Sequence, residues 1–500
     1  PYRRQRQMCI RDRCIIFIVI IIGIYCIITP IFKEKSVEGL SEEYKTFGKD
    51  KFETIFVGSS VMLNAVYPLE LYKQYGMASF NLGCGAQRMS SSYYIVKQAI
   101  REQHPKLIVL DVYLAGIGKD YPQEPAGFTH YVTDALHYPE KLEMINDVLP
   151  VNRRLDYIYE MGAYHERWEN ITKDDFEKIP SGRKGTYGAK VHYYSSPFES
   201  FGDVTSEKKE LPKETEKYLR KIIELCQENH TEILLTLMPL DYSAQVTDIN
   251  RSEWQGYWNK VQDIANEYGI RYLNFMYHYD ELDLDKEKDT DGGTHLNGWG
   301  ADKLTSYLGN YIKQNYKLKD VRSDPKYDFM KKDVVKFEKY KKELELASLS
   351  DFSEYLDALV KLKNEYADEY DVCFSVRDIQ GYFLDDNIIK KMKKIGFINS
   401  EILLEKEYHS FIGITGGTEN IEKYGGDEAI SCDFYTKNKK KIAISSQTLN
   451  SGNNSIVQIG GENYSKNMRG FNIVVFDAKS EKVIDSVNFD THVPEFTCTR

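Results

Sequence analysis

Thr54-Ile55-Phe56-Val57-Gly58-Ser59-Ser60 is an apolar run that stops at a glycine and two serines. The run predicts a buried β-strand, and the residues after the serines mix apolar and polar side chains as the start of a helix does. A strand that delivers a serine into a tight turn exposes its hydroxyl at the end of a sheet. Gly58 lets the backbone turn without a Cβ clash, and free amides of the turn can face a developing oxyanion. Alone, Gly-Ser-Ser is an ordinary turn. It gains meaning from Asp291-Gly-Gly-Thr-His295-Leu-Asn297, an acid and an imidazole four residues apart, just before a predicted helix. A serine after the first strand, with Asp and His near the end of an α/β unit, forms a nucleophile, orienter and base set. Read singly, Asp291 is a turn residue and His295 a packed histidine; the ordered set is what points to catalysis.

These residues resemble the SGNH/GDSL-type hydrolases, in the extracytoplasmic branch that carries Gly-Ser-Ser for Gly-Asp-Ser. The likeness spans roughly residues 51 to 316. It implies a three-layer, doubly wound parallel α/β sheet, Ser60 as nucleophile, and Asp291 and His295 as its partners, with one extra residue between them. Asn81-Leu-Gly83-Cys-Gly85-Ala86 resembles the family's second block. That implies an oxyanion hole of backbone amides at Ser60 and Gly85 or Ala86. The third block, Gly-x-Asn-Asp, has no counterpart: Leu110-Asp111-Val112-Tyr113 ends the corresponding strand. The departure predicts slow turnover or a lapsed site. Asp289 is an alternative orienter.

The 500 residues exceed one domain, and a net charge of −10 argues against a general nucleic-acid surface. Residues 1–13 resemble a translated sequencing adapter and are expected to be non-native, which places the natural N-terminus outside the sequence. Residues 14–32 hold no charge and are apolar on every side. They predict an uncleaved transmembrane anchor with the bulk of the chain extracytoplasmic; a signal peptide is the alternative, though no small-residue cleavage site comes after it. Residues 33–50 read as a stem. Outside the N-terminal segment the cysteines are Cys84, Cys226, Cys373, Cys432 and Cys498, an odd number without metal-ligand spacing. They predict neither a disulfide framework nor a metal site, and no cofactor is expected.

Strands and helices alternate through the rest of 51–316. Pro68–Tyr75 predicts a helix closed by Gly76. Met89, Tyr93, Val96 and Ile100 give a helical stripe, and Leu107–Val112 a strand buried on both faces. Residues 113–212 interrupt the rhythm and are expected as an insertion over the strand ends, where such sheets bind ligands. Within it His165, Trp168, His192, Tyr193 and Tyr194 are candidates for substrate contact, with packing the blander role for each. The alternation resumes with Leu219, Ile222, Ile223 and Cys226, then strand 233–237, the Trp258, Val261, Ala265 and Tyr268 stripe, and strand 271–275. A closing helix begins near Gly298.

Residues 317–349 are rich in Lys and Glu and predict a solvated linker or helical spacer. From 350 onward short β runs at 372–376, 409–414, 441–444 and 472–476 alternate with Gly- and Asn-rich turns. Ser375-Val-Arg-Asp378, Gly396-Phe397, Ser410-Phe-Ile-Gly-Ile414 and Arg469 through Asp477 resemble the interleukin-like EMT inducer domain over about 350–493. That implies a smaller, mostly-β, sandwich-like domain over 350–500 with possible glycan contact. Taken together, the resemblances imply a membrane-anchored serine esterase or O-acyltransferase acting on acyl, chiefly acetyl, esters of cell-surface polysaccharide. A membrane-bound O-acyltransferase is a conceivable partner. The rival class is a lapsed carbohydrate-binding or structural surface protein.

Overall fold

The computed structural model describes residues 2–32, 40–118, 126–159, 164–176, 193, 195–197, 204–239, 251–291, 295–366, 369–416 and 420–500. The chain divides into two compact units, with the change from one to the other between Phe337 and Glu338.

The first unit is built on a five-stranded parallel sheet. Its strands are β1 (Thr54–Val57), β2 (Ser79–Asn81), β3 (Leu107–Asp111), β4 (Glu232–Leu237) and β5 (Arg271–Asn274), in the order β2-β1-β3-β4-β5. Every residue of β1, β2 and β3 is buried, as continuous apolar runs in parallel sheets require. Right-handed crossovers in this order put the helix after β1 on one face and those after β2, β3 and β4 on the other. The packing agrees. Helix Pro68–Tyr75 lies against Gly298–Asn315, and helix Met89–Gln103 against Lys213–Glu228. The Lys213–Glu228 stripe Leu219, Ile222, Ile223 and Cys226 is buried. Pro68 stands at the start of its helix, and Gly76 closes it in the left-handed region at φ 70°. The winding of the parallel sheet turns from one side to the other between β1 and β3, so the C-terminal ends of these two strands flank the place where α/β sheets of this order bind ligands.

Where the sequence predicts only an insertion over 113–212, the structure has helices Ala126–Ala135 and Glu140–Val148, the latter packed against Met89–Gln103. Part of the insertion therefore thickens a helical layer beside the sheet. A helix Tyr2–Phe32 precedes the unit, and its stretch Ile10–Phe32 is long and apolar enough to cross a membrane by length and composition, with 6% of its most apolar window buried.

The charged stretch 317–349 contains the helix Asp328–Ser348, and its Met330, Phe337 and Leu346 are buried. The second unit holds an antiparallel sheet with Gly470–Asp477 at its centre, paired to Lys482–Asp490 and Tyr370–Arg377; Tyr408–Thr415 pairs beyond the latter. A smaller antiparallel sheet runs through Ile430–Tyr435, Lys441–Ser446 and Ser455–Ile459. Cys373, Ile412, Val474, Ile442, Ile444 and Val457 share one core between the two sheets. The separate antiparallel β domain is as expected, and helices cover the other face of its large sheet. There the alternate residues Phe374, Phe411 and Phe471 meet Phe397 and Phe352, aromatics supplied by or beside helices Asp386–Ile395 and Phe352–Tyr366. The period-2 pattern buries both faces of the large sheet, so a sheet covers one and helices the other.

Candidate active site

The turn after β1 separates its two serines. Ser59 is buried, and its hydroxyl donates to Asp111 Oδ2 at 3.4 Å. Ser60 begins the short helix Ser60–Ala65 and is only half-buried. Its hydroxyl donates to His295 Nε2 at 2.9 Å. Gly58 makes this placement possible. A Cβ there would stand 2.6 Å from Asp111 Cβ and 2.9 Å from Met62 Cβ, closer than carbon atoms tolerate.

His295 and Asp291 are brought together by a small hairpin ahead of the helix Gly298–Asn315. Thr290 and Leu296 form an antiparallel bridge, the Asp291 amide donates to the His295 carbonyl, and the Asn297 amide donates to the Asp289 carbonyl. Asn297 secures the base of the hairpin. Its side-chain oxygen caps the helix by accepting from the Trp299 and Gly300 amides, and its amide nitrogen donates to the Lys288 and Thr290 carbonyls. Asp291 Oδ2 lies 3.6 Å from His295 Nδ1, with the acid 10% exposed and the imidazole 21%. That spacing is longer than a hydrogen bond. With Nδ1 facing the acid, Nε2 is left to accept the serine proton. Asp289, the other carboxylate in reach by sequence, turns away: it pairs with Lys303 Nζ at 2.7 Å and accepts from the Asp285 amide at 2.6 Å.

The second block lies beside the serine turn, because the Cys84 amide donates to the Gly58 carbonyl at 3.0 Å. Asn81 fixes the approach. Its side-chain nitrogen donates to the Met62 and Val66 carbonyls, and its oxygen accepts from the Gly83 amide. Gly85 and Ala86 are the central residues of a turn closed by the Gln87 amide on the Cys84 carbonyl, so their own amides play no part in closing it. Ala86 sits in the left-handed region at φ 50°. The Ser60 amide, in the first turn of its helix, has no helical acceptor.

Asp111 is the residue that sequence reasoning passed over. It ends β3, is buried, and accepts from the Tyr113 amide at 3.2 Å, the Met238 amide at 3.4 Å and the Ser59 hydroxyl. Burial pushes its carboxyl up to about 7, against the lowering effect of the two amides and Ser59. Beyond it Tyr113 packs with Trp254 and Trp258, whose indole nitrogen donates to the Tyr113 carbonyl. Of the insertion residues expected at the substrate, Trp168 is 64% exposed and Tyr193 is buried. His192 and Tyr194 lie outside the described residues. Ser196, from the same insertion, reaches the site's border: its amide donates to the Thr290 carbonyl, and its carbonyl accepts from the Thr290 hydroxyl.

No family model matches the chain, and no curated protein matches it. Among solved structures it is similar to a protein described as an acylhydrolase from Bacteroides fragilis NCTC 9343, at 13% identity and a TM-score of 0.29, covering 57% of this chain and 97% of that one. A GDSL-like lipase from Bacteroides thetaiotaomicron VPI-5482 aligns at 12% identity and 0.30, covering 56% and 98%. Likenesses of this size define neither fold nor activity, so the functional reading stands on the site's own geometry.

Proposed function

We propose that the chain is a membrane-anchored serine esterase or O-acyltransferase acting on acyl esters, chiefly acetyl, of cell-surface polysaccharide. The observation that carries this reading is the Ser60 hydroxyl 2.9 Å from His295 Nε2, with Asp291 beside the other ring nitrogen. Ser60 Oγ adds to the ester carbonyl as His295 Nε2 takes its proton. The oxyanion gathers hydrogen bonds from the Ser60 amide and from Gly85 or Ala86. The tetrahedral adduct then collapses, the C–O bond to the sugar breaks, and His295 returns the proton to the leaving alkoxide. Water, or another sugar hydroxyl, attacks the acyl-enzyme by the same route in reverse. Asp291 holds the tautomer and stabilises the imidazolium. The apolar segment Ile10–Phe32 supports placement at a membrane, and the β-rich second unit is the candidate module for glycan contact.

The test is active-site labelling of the full chain. A fluorophosphonate should label the wild type and release of acetate from an activated ester should be measurable. Ser60→Ala should erase both, whereas Ser59→Ala should keep most of each. Wild-type turnover by Ser60→Ala overturns the assignment; no label on the wild type favours a lapsed, binding-only protein.

A further inference from the structure

The first unit exposes its large apolar side chains unevenly. Outside the N-terminal helix, eight of the eleven that are exposed among its described residues fall between Tyr138 and Phe176. Four of these, Val151, Leu155, Trp168 and Phe176, are 64% to 75% exposed. A soluble surface scatters such residues singly, and clustering marks an interaction site.

The same segment touches the apolar helix. The Tyr159 ring stacks on Tyr25 with centroids 5.3 Å apart, and Arg167 Nη1 donates to the carbonyl of Phe32, the helix's last residue, at 2.9 Å. Arg167 is itself anchored on Asp175 at 2.7 Å. These contacts fix a depth. Tyr25 lies seven residues before Phe32, so at 1.5 Å per residue it sits about 10 Å further along the axis. If Phe32 leaves the bilayer at the headgroup level, Tyr159 stands at the boundary of headgroups and acyl chains, about 5–10 Å deep. Interfacial apolar faces bury themselves to that depth, and Trp and Tyr concentrate there.

We infer that the described residues of 151–159 and 164–176 carry a bilayer-resting face: Val151, Leu155, Ile158, Tyr159, Trp168 and Phe176 dip into the outer boundary of the membrane that the N-terminal helix crosses. The inference rests on the membrane part of the proposed function and is independent of the esterase part. Lipid is the occupant because the patch is continuous with the apolar helix through Tyr25 and Phe32. A second protein copy would not account for that join.

The full chain reconstituted in phosphatidylcholine vesicles tests this, with lipid brominated at a shallow acyl position as quencher. The chain holds four tryptophans, and Trp254 and Trp258 are buried. Brominated lipid should quench the wild type, and Trp168→Phe should remove most of that quench while keeping the chain resistant to carbonate extraction. Equal quench in wild type and Trp168→Phe, with both chains resistant to carbonate extraction, overturns the bilayer-resting face but spares the anchor. Carbonate-extractable wild type overturns both. A Trp168 shielded from aqueous iodide yet unquenched by lipid, in a chain that cross-links to itself, assigns the patch to a second copy and also overturns the inference.

Discussion

Replacing Asp111 by Asn should shift stability in favour of the variant as pH rises from acid to neutral. Asn keeps the shape and one of the two accepting oxygens, gives up the amide hydrogen bond to the other, and cannot ionise. In the folded chain burial raises the Asp111 carboxyl from 3.8 to about 7. Below pH 4 the group is protonated in both folded and unfolded chains and contributes no pH dependence. As pH rises from 4 to 7 the unfolded chain releases this proton while the folded chain keeps it, so stability falls with pH. Above 7 both forms are ionised and the loss is complete. Three units of raised pKa correspond to on the order of 4 kcal/mol, of which about 3 kcal/mol is lost between pH 5 and 8. Urea unfolding of wild type and Asp111→Asn at these two pH values, followed by tryptophan emission, isolates the term, because every other titrating group is common to both. The advantage of Asp111→Asn over wild type should grow by that amount. A constant difference across the range would falsify the claim that a buried, mostly neutral carboxyl braces the serine turn.

Asn297→Ala should cost about 1–2 kcal/mol of stability through the lost helix cap, and it should lower kcat about 10- to 100-fold by loosening the Asp291–His295 hairpin, while KM changes little. Asp291→Asn should reduce kcat by roughly 10⁴, whereas Asp289→Asn should lower unfolding stability by about 1–2 kcal/mol and leave fluorophosphonate labelling intact; the reverse pattern would make Asp289 the orienter. Gly58→Ala should destabilise by about 1–3 kcal/mol and slow labelling, because the new methyl meets Asp111 and Met62; unchanged unfolding and labelling would show that the turn can widen freely.

Much of the first unit was legible because its signals are local. Thr54–Val57 and Leu107–Asp111 are unbroken apolar runs of strand length, and Pro68 and Gly76 bracket a helix by backbone preference alone. The pairing of Ser60 with His295 was readable as an ordered set, but its geometry depends on the Thr290–Leu296 bridge and the Asn297 cap, contacts that no short window reveals. Asp111 left a signal that went unused: an acid closing a strand buried on both faces must find partners or lose its charge. The helices within 126–148 lie in a stretch that the sequence marks only as a break in the strand–helix rhythm, because their apolar residues are interspersed with tyrosines, histidines and acids. In the second unit Phe352, Tyr355, Leu356, Leu359 and Leu362 keep helical spacing, and the abundance of charge around them masked it.

The neutrality of Asp111 bears on chemistry as well as folding. Asp111 ends β3, the strand next to the one that delivers Ser60. Ionised, it would oppose the negative charge that forms on the carbonyl oxygen. Such like-charge repulsion is felt more strongly in a site shielded from water than in bulk solvent. The fold weakens the conflict in two ways. Burial raises the carboxyl's pKa to about 7, and the Tyr113 and Met238 amides and the Ser59 hydroxyl occupy its oxygens. If Ser60 is the nucleophile, a backbone oxyanion hole tolerates an acid at the end of the neighbouring strand because burial favours its uncharged form.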